Sequence, residues 1–79
     1  MTPKKNEIAD CVRRSVENYL KDLDGESPCP MYEMVIHNVE KPLLEVVLAH
    51  AEGNQTVAAD MLGINRNTLR KKMQVHKIR

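Results

Sequence analysis

The chain has no tryptophan and no phenylalanine, and Tyr19 and Tyr32 are its only aromatic residues. Any core must therefore be built from aliphatic side chains and methionine, which dominate the 42% apolar content. Two cysteines, Cys11 and Cys29, are too few for a disulfide framework or a zinc site. Cys11 falls on an apolar helical face and Cys29 between prolines, so buried or incidental thiols in a reducing cytosol are expected. No apolar run approaches the roughly 18 residues that suggest a membrane span. The opening MTPKKNE carries two lysines but no following apolar stretch, so no secretion signal is visible and a cytoplasmic location is expected. Gly25, Gly53 and Gly63 are too dispersed to form a phosphate-binding loop. His37, His50 and His76 are scattered, and no Cys/His/Asp cluster has metal-ligand spacing. Glu33 and His37 stand four apart on one helix, but a pair without a third ligand reads as solvated side chains. No nucleophile is accompanied by a plausible base. These absences exclude the common enzyme classes and imply no metal, cofactor or small-molecule ligand.

Acidic residues are missing from one end. Arg66, Arg70, Lys71, Lys72, Lys77 and Arg79 supply six positive charges with no acid after residue 65. All eleven acidic residues lie earlier, beside six basic ones, which splits the formal net charge of +1 into +6 and −5. One surface is thus suited to phosphate and another is repelled by it. A solvated basic tail favoured by a helix dipole would have the same charge. The amides and the Gly-Ile turn that accompany these charges favour the first reading.

What is present is helical periodicity. Asn6 can cap a first helix in which Ile8, Cys11, Val12, Ser15, Val16, Tyr19, Leu20 and Leu23 recur at three- and four-residue spacing. Gly25 supplies a stop, and Pro28 and Pro30 keep the connector from being helical throughout. A second helix is expected from about Met31 to Ala51. Met34, Val35, Ile36, Val39, Leu43, Leu44, Val46, Val47, Leu48, Ala49 and Ala51 cover far more than one of its faces. A chain of 79 residues cannot bury such a helix from all sides by itself. The natural covering partner is the same helix of a second copy, with Val35, Val39, Leu43 and Val47 at the interface. Pro42 lies inside this helix and either kinks it or divides it; the unbroken apolar spacing favours a kink.

Residues 55–74, QTVAADMLGINRNTLRKKMQ, read as two short helices and a tight turn. Gly53 ends the preceding helix and Asn54 caps the first of this pair. Ala58, Ala59 and Leu62 share one face; Ala59 is small enough for a close helix crossing, and Gly63 is free to take positive φ in the turn. Ile64 plugs the turn. The second helix starts at Asn65, buries Leu69 and Met73, and turns Arg66, Asn67, Arg70, Lys71 and Gln74 outward. These are the residue types and spacing of a helix-turn-helix whose second helix enters a DNA major groove.

The segments GNQTVAADMLGINRNTLRKKM, VEKPLLEVVLAHAEGN, YEMVIHNVEKPLLEVVL and NYLKDLDG closely resemble the Fis family of bacterial nucleoid proteins, over about residues 8 to 76. The resemblance implies an all-α, four-helix fold with a C-terminal helix-turn-helix, assembled as an intertwined homodimer. It implies a short N-terminus over residues 1–6, a two-helix dimerisation core over 7–52 and a DNA-binding region over 53–79. Paired recognition helices in this family stand closer together than adjacent major grooves of straight DNA. Double-stranded DNA must then bend to be bound, and specificity arises largely from its deformability. Carried over by position, Arg66 reaches a guanine edge, where a guanidinium can contact O6 and N7 together. Asn65 touches nearby base edges or phosphate while capping the helix, and Asn67 influences base preference. Asn54, Thr56, Thr68, Arg70, Lys71 and Lys72 hold backbone phosphates. For Asn54 and Asn65 pure capping remains an equal alternative.

Three departures bear on function. Glu52 and Val57 stand where relatives usually carry basic residues, which weakens the case for contacts to DNA flanking the core site. Asn67 stands where some relatives have glycine. Only about seven residues precede the first helix, whereas the relatives that contact DNA invertases carry a long mobile arm there. Invertase contact is therefore not expected. Two other functional classes fit part of the pattern. NtrC-type activators close with a similar helix-turn-helix behind an ATPase domain, and a helical interaction dimer could use its basic end for solubility alone.

Overall fold

The computed structural model describes residues 6–79 and contains four α-helices and, among those residues, no strand. They are α1 (Glu7–Asp22), α2 (Met31–His50), α3 (Gln55–Leu62) and α4 (Arg66–Val75). The N-terminal segment expected over residues 1–6 lies, up to residue 5, outside the described residues. The chain divides into two compact units at residues 35 and 36.

The first unit holds α1 and the start of α2. Asn6 caps α1 as expected, its side chain accepting from the Ala9 N–H at 3.0 Å. Asp10 pairs with Arg13 one turn later, at 2.9 Å and largely in water. The helix stops earlier than Gly25 alone would require: Leu23 is its C-cap, and Asp24 already has φ 50 before Gly25 at φ 89. Aspartate tolerates the left-handed region better than most residues, so the turn uses both. No residue of α1 is fully buried; its apolar positions Val12, Val16, Tyr19 and Leu23 are half-buried. Cys11 and Cys29 are both exposed, so the thiols are not core residues. The Cys29 N–H donates to the Tyr19 hydroxyl at 3.1 Å, and that hydroxyl lies 3.2 Å from Cys29 Sγ. This tethers the proline-bounded connector to α1.

The second unit runs from Ile36 to the C-terminus and contains the core. Leu44, Leu48 and Ala51 from the end of α2 meet Ala58 and Ala59 of α3 and Leu69 and Met73 of α4. Val47, Leu62, Ile64 and Ile78 pack around them, half-buried. Leu44 and Leu69 are the largest fully buried side chains. Each such leucine contributes about 1.5–3 kcal/mol by leaving water. With no aromatic ring in it, this core is small, and the alanines of α3 let the helices approach within that limit.

Helix α2 passes through Pro42 as one helix, which removes the two-helix alternative. The missing N–H leaves the Asn38 carbonyl without its usual intrahelical donor. After His50 the chain turns through two left-handed residues, Glu52 at φ 55 and Gly53 at φ 81. The Gly53 and Asn54 amides close the turn onto the Leu48 and Ala51 carbonyls, at 2.9 and 3.0 Å. The positions expected at a dimer interface part company here. Val39 and Leu43 are exposed, Val35 is half-buried within the first unit, and Val47 is half-buried against the core of its own chain.

Candidate nucleic-acid interface

Helix α3, the turn and α4 are fixed by three capping devices. The Asn54 side chain accepts from the Val57 N–H at 3.2 Å, and the Asn65 side chain accepts from the Thr68 N–H at 2.7 Å. Both cap residues are extended, with Asn54 at ψ 105 and Asn65 at ψ 160. Between them Gly63 takes φ 74, and its N–H reaches back to the α3 carbonyls. A Cβ at Gly63 would meet nothing within 4 Å, so glycine is required there by backbone conformation and not by space. Ile64 donates its N–H to the Ala59 carbonyl at 3.1 Å while its side chain covers the core. The turn is thus specified locally, by residues within six positions of one another.

Helix α4 has a buried stripe and an outer face. Leu69, Met73 and His76 face the core, and at about 100° per residue the opposite side carries Asn67, Lys71 and Gln74. Arg66 and Arg70 flank the stripe on one side. All five of these polar residues are exposed, as are Asn54, Thr56 and Asn65. Thr68 is half-buried beside the cap it serves. Among the described residues, Arg66, Arg70 and Lys71 pair with no carboxylate. Outside its buried stripe, α4 thus presents three unpaired cations and several amides, beginning at its capped N-terminus. Such a surface can engage phosphate oxygens and the polar edges of bases together.

Lys72 stands apart from this group. Its ammonium donates to Glu40 Oε2 of α2 at 2.9 Å and is only partly exposed. The other oxygen, Oε1, lies 2.8 Å from His76 Nε2. An ionised carboxylate only accepts, so that nitrogen carries a hydrogen, and His76 Nδ1 is left buried without a partner. The ring of His37, one turn before Glu40 on α2, lies 4.3 Å from that of His76 at a tilt of 39°. The hydrogen bond from Lys72, then that from His76, holds the Glu40 carboxyl below its ordinary value of 4.5, against the opposing effect of burial. His37 and His76, scattered in the sequence, are therefore neighbours in space.

A sequence model described as "Bacterial regulatory protein, Fis family" matches residues 35–75. Over 72 residues the chain is 56% identical to a protein of Ralstonia nicotianae that carries the name Fis-like DNA-binding protein, covering 91% of this chain and 94% of that one. A Neisseria meningitidis protein of the same name is 54% identical over 70 residues, 89% of each chain. DNA-binding protein Fis of Glaesserella parasuis is 54% identical over 67 residues, 85% of this chain and 68% of its own. This chain belongs to the Fis family. The family is one of regulatory proteins, and the four-helix, all-α architecture agrees with it.

Within this Fis-family chain the two departures at the edge of the motif are both on the surface. Glu52 occupies the left-handed turn after α2, and Val57 is an exposed residue on the first turn of α3. Among the described residues no helix is long and apolar enough to cross a membrane. Sequence reasoning missed Glu40, His76 and Ile78. Ile78 is brought back over the core by its N–H bond to the Met73 carbonyl at 2.8 Å, after Lys77 turns through φ 56. One signal was available: His76 falls on the Leu69–Met73 stripe at the next helical step, which marks it as inward-facing. Nothing local marks Glu40, whose two partners lie 32 and 36 residues away.

Proposed function

We propose that this chain is a homodimeric regulator that binds double-stranded DNA through α3 and α4 and bends it. The single observation that carries the reading is the outer surface of α4. It combines exposed Arg66, Asn67, Arg70, Lys71 and Gln74 with a rigidly capped N-terminus and no acid in the helix. The Fis-like relatives are named for DNA binding, and membership of their family extends that activity to this chain. Arg66 reads a guanine edge in the major groove, with Asn65 and Asn67 beside it. Asn54, Thr56, Thr68, Arg70 and Lys71 hold phosphates and set the register. Lys72, which the family resemblance places with them, is engaged by Glu40.

The second copy is supported by α2. Ile36, Val39, Leu43 and Val46 are exposed at spacings of three, four and three, and Leu43 and Val46 are 50% and 68% accessible. That spacing is the seam of a helix pair, and such apolar stripes mark association surfaces. In a Fis-like dimer the two α4 helices stand too close for adjacent grooves of straight DNA, so the duplex bends over its central base pairs. The protein then acts on nucleoid DNA in the bacterial cytoplasm. Electrophoresis of complexes on circularly permuted duplexes with AT-rich centres tests this. A salt-sensitive shift whose mobility depends on the position of the site is expected. Mobility independent of position would exclude bending, and no shift at low salt would exclude the DNA reading altogether.

A further inference from the structure

We infer that Glu40 is a positioning residue for DNA binding: it fixes the C-terminal half of the recognition helix and takes Lys72 out of the phosphate-binding set. The inference rests on the DNA-binding reading and refines which cations serve it. Both oxygens of one carboxylate are used, each on a group one helical turn from the other, Lys72 Nζ at 2.9 Å and His76 Nε2 at 2.8 Å. A two-point hold of this kind restrains rotation of α4 about its axis as well as its distance from α2. The His76 ring is also packed against His37 and is nearly inaccessible, so it has little room to turn away from Glu40.

Helix geometry gives an independent reason for the separation of Lys72. At about 100° per residue, Lys72 lies on one flank of the Leu69–Met73–His76 stripe, whereas Arg66 and Arg70 lie on the other. Lys71 and Lys72 are one step of about 100° apart, so the long Lys72 side chain reaches the margin of a duplex seated on Arg66, Arg70 and Lys71 only when Glu40 no longer holds it. An ammonium neutralised by its own protein releases no counterion when DNA arrives, so Lys72 is silent in the salt dependence of binding. Three adjacent cations in the sequence RKK thus divide into two that serve DNA and one that serves the fold.

The test is the log–log salt slope of affinity for an AT-centred duplex, measured by fluorescence anisotropy on the full chain. Wild type, Lys71→Ala, Lys72→Ala and Glu40→Gln are compared. Lys71→Ala lowers the slope by about 2 for a dimer, one phosphate contact per protomer. Lys72→Ala leaves it unchanged, and Glu40→Gln steepens it because the Lys72 charge is released. A merely structural Glu40 would weaken binding at every salt concentration without changing the slope. Lys72→Ala lowering the slope as much as Lys71→Ala does would overturn the assignment, and so would an unchanged slope in Glu40→Gln. Lys72→Ala tests the assignment even if the Glu40 variant folds poorly. Wild type without a salt-dependent complex would remove the DNA reading itself, whereas a steep wild-type slope that falls in Lys72→Ala removes only the role of Glu40.

Discussion

Asn65 is a cap in the structure and, in the proposed DNA-binding reading, a recognition residue as well. Its carbonyl oxygen caps α4 through the Thr68 N–H at 2.7 Å, and the residue stands exposed beside Arg66. Asn65→Ala removes the cap and should lower stability by about 0.5–2 kcal/mol. Asn65→Ser keeps a capping oxygen but loses the amide that would reach a base edge or phosphate. Thermal melts and binding isotherms of both variants separate the roles. Serine should restore most of the stability lost by alanine while binding stays weakened. Serine that restores both would reduce Asn65 to a cap. Gly63 is the simpler case beside it, since φ 74 asks for glycine and the open space around it asks for nothing. Both residues were legible in the sequence because a cap and a left-handed turn are specified by one residue and its immediate neighbours.

At the scale of elements, what could be read depended on how far apart the partners lie. The pattern of α4 placed Leu69 and Met73 inside and Arg66, Asn67, Arg70, Lys71 and Gln74 outside, and the structure agrees, because a helical period is local. The stop at Gly25 was placed slightly late, since Asp24 takes positive φ ahead of it. The tie between α2 and α4 was invisible, because Glu40 meets Lys72 and His76 only after the turns around Gly53 and Gly63 have brought the two helices together. This tie has a pH signature. The Glu40 carboxyl is held below 4.5 in the folded chain, first by Lys72 and then by His76. A carboxyl lowered on folding stabilises the fold fully above its unfolded value, and that contribution is lost as pH falls through the lowered folded value. Glu40→Gln should therefore melt below wild type at neutral pH, and the two should converge as the solution is acidified well below pH 4.5. Parallel melting curves with a constant gap down to the most acid conditions would show that the charge of Glu40 is not what stabilises the tie.

For the whole molecule, the all-round apolar pattern of α2 implied a second copy, but the single chain alters which residues can carry that contact. Val47 packs on its own core, whereas Leu43 is half exposed, so an acid at Leu43 challenges association with little cost to the monomer. Leu43→Asp would bury an unpaired charge in a two-chain seam, which costs several kcal/mol. Sedimentation should show loss of the dimer, and an intact dimer would move the interface off this stripe. The same assembly sets the last prediction, because bending requires two recognition helices held at a fixed separation. Arg66→Ala should weaken binding to a guanine-containing half-site by about 1–3 kcal/mol per contact and flatten discrimination at that guanine. Replacing an AT-rich centre with a GC-rich one should weaken wild type and Arg66→Ala alike. No side chain need touch the centre; the loss comes from compressing a stiffer, wider minor groove. Affinities of both proteins on both duplexes form a closed cycle. Near-additive losses would separate a base contact at Arg66 from DNA deformation at the centre. If the central sequence changed neither affinity, bending would not be part of recognition, and α4 would read straight DNA through its own contacts alone.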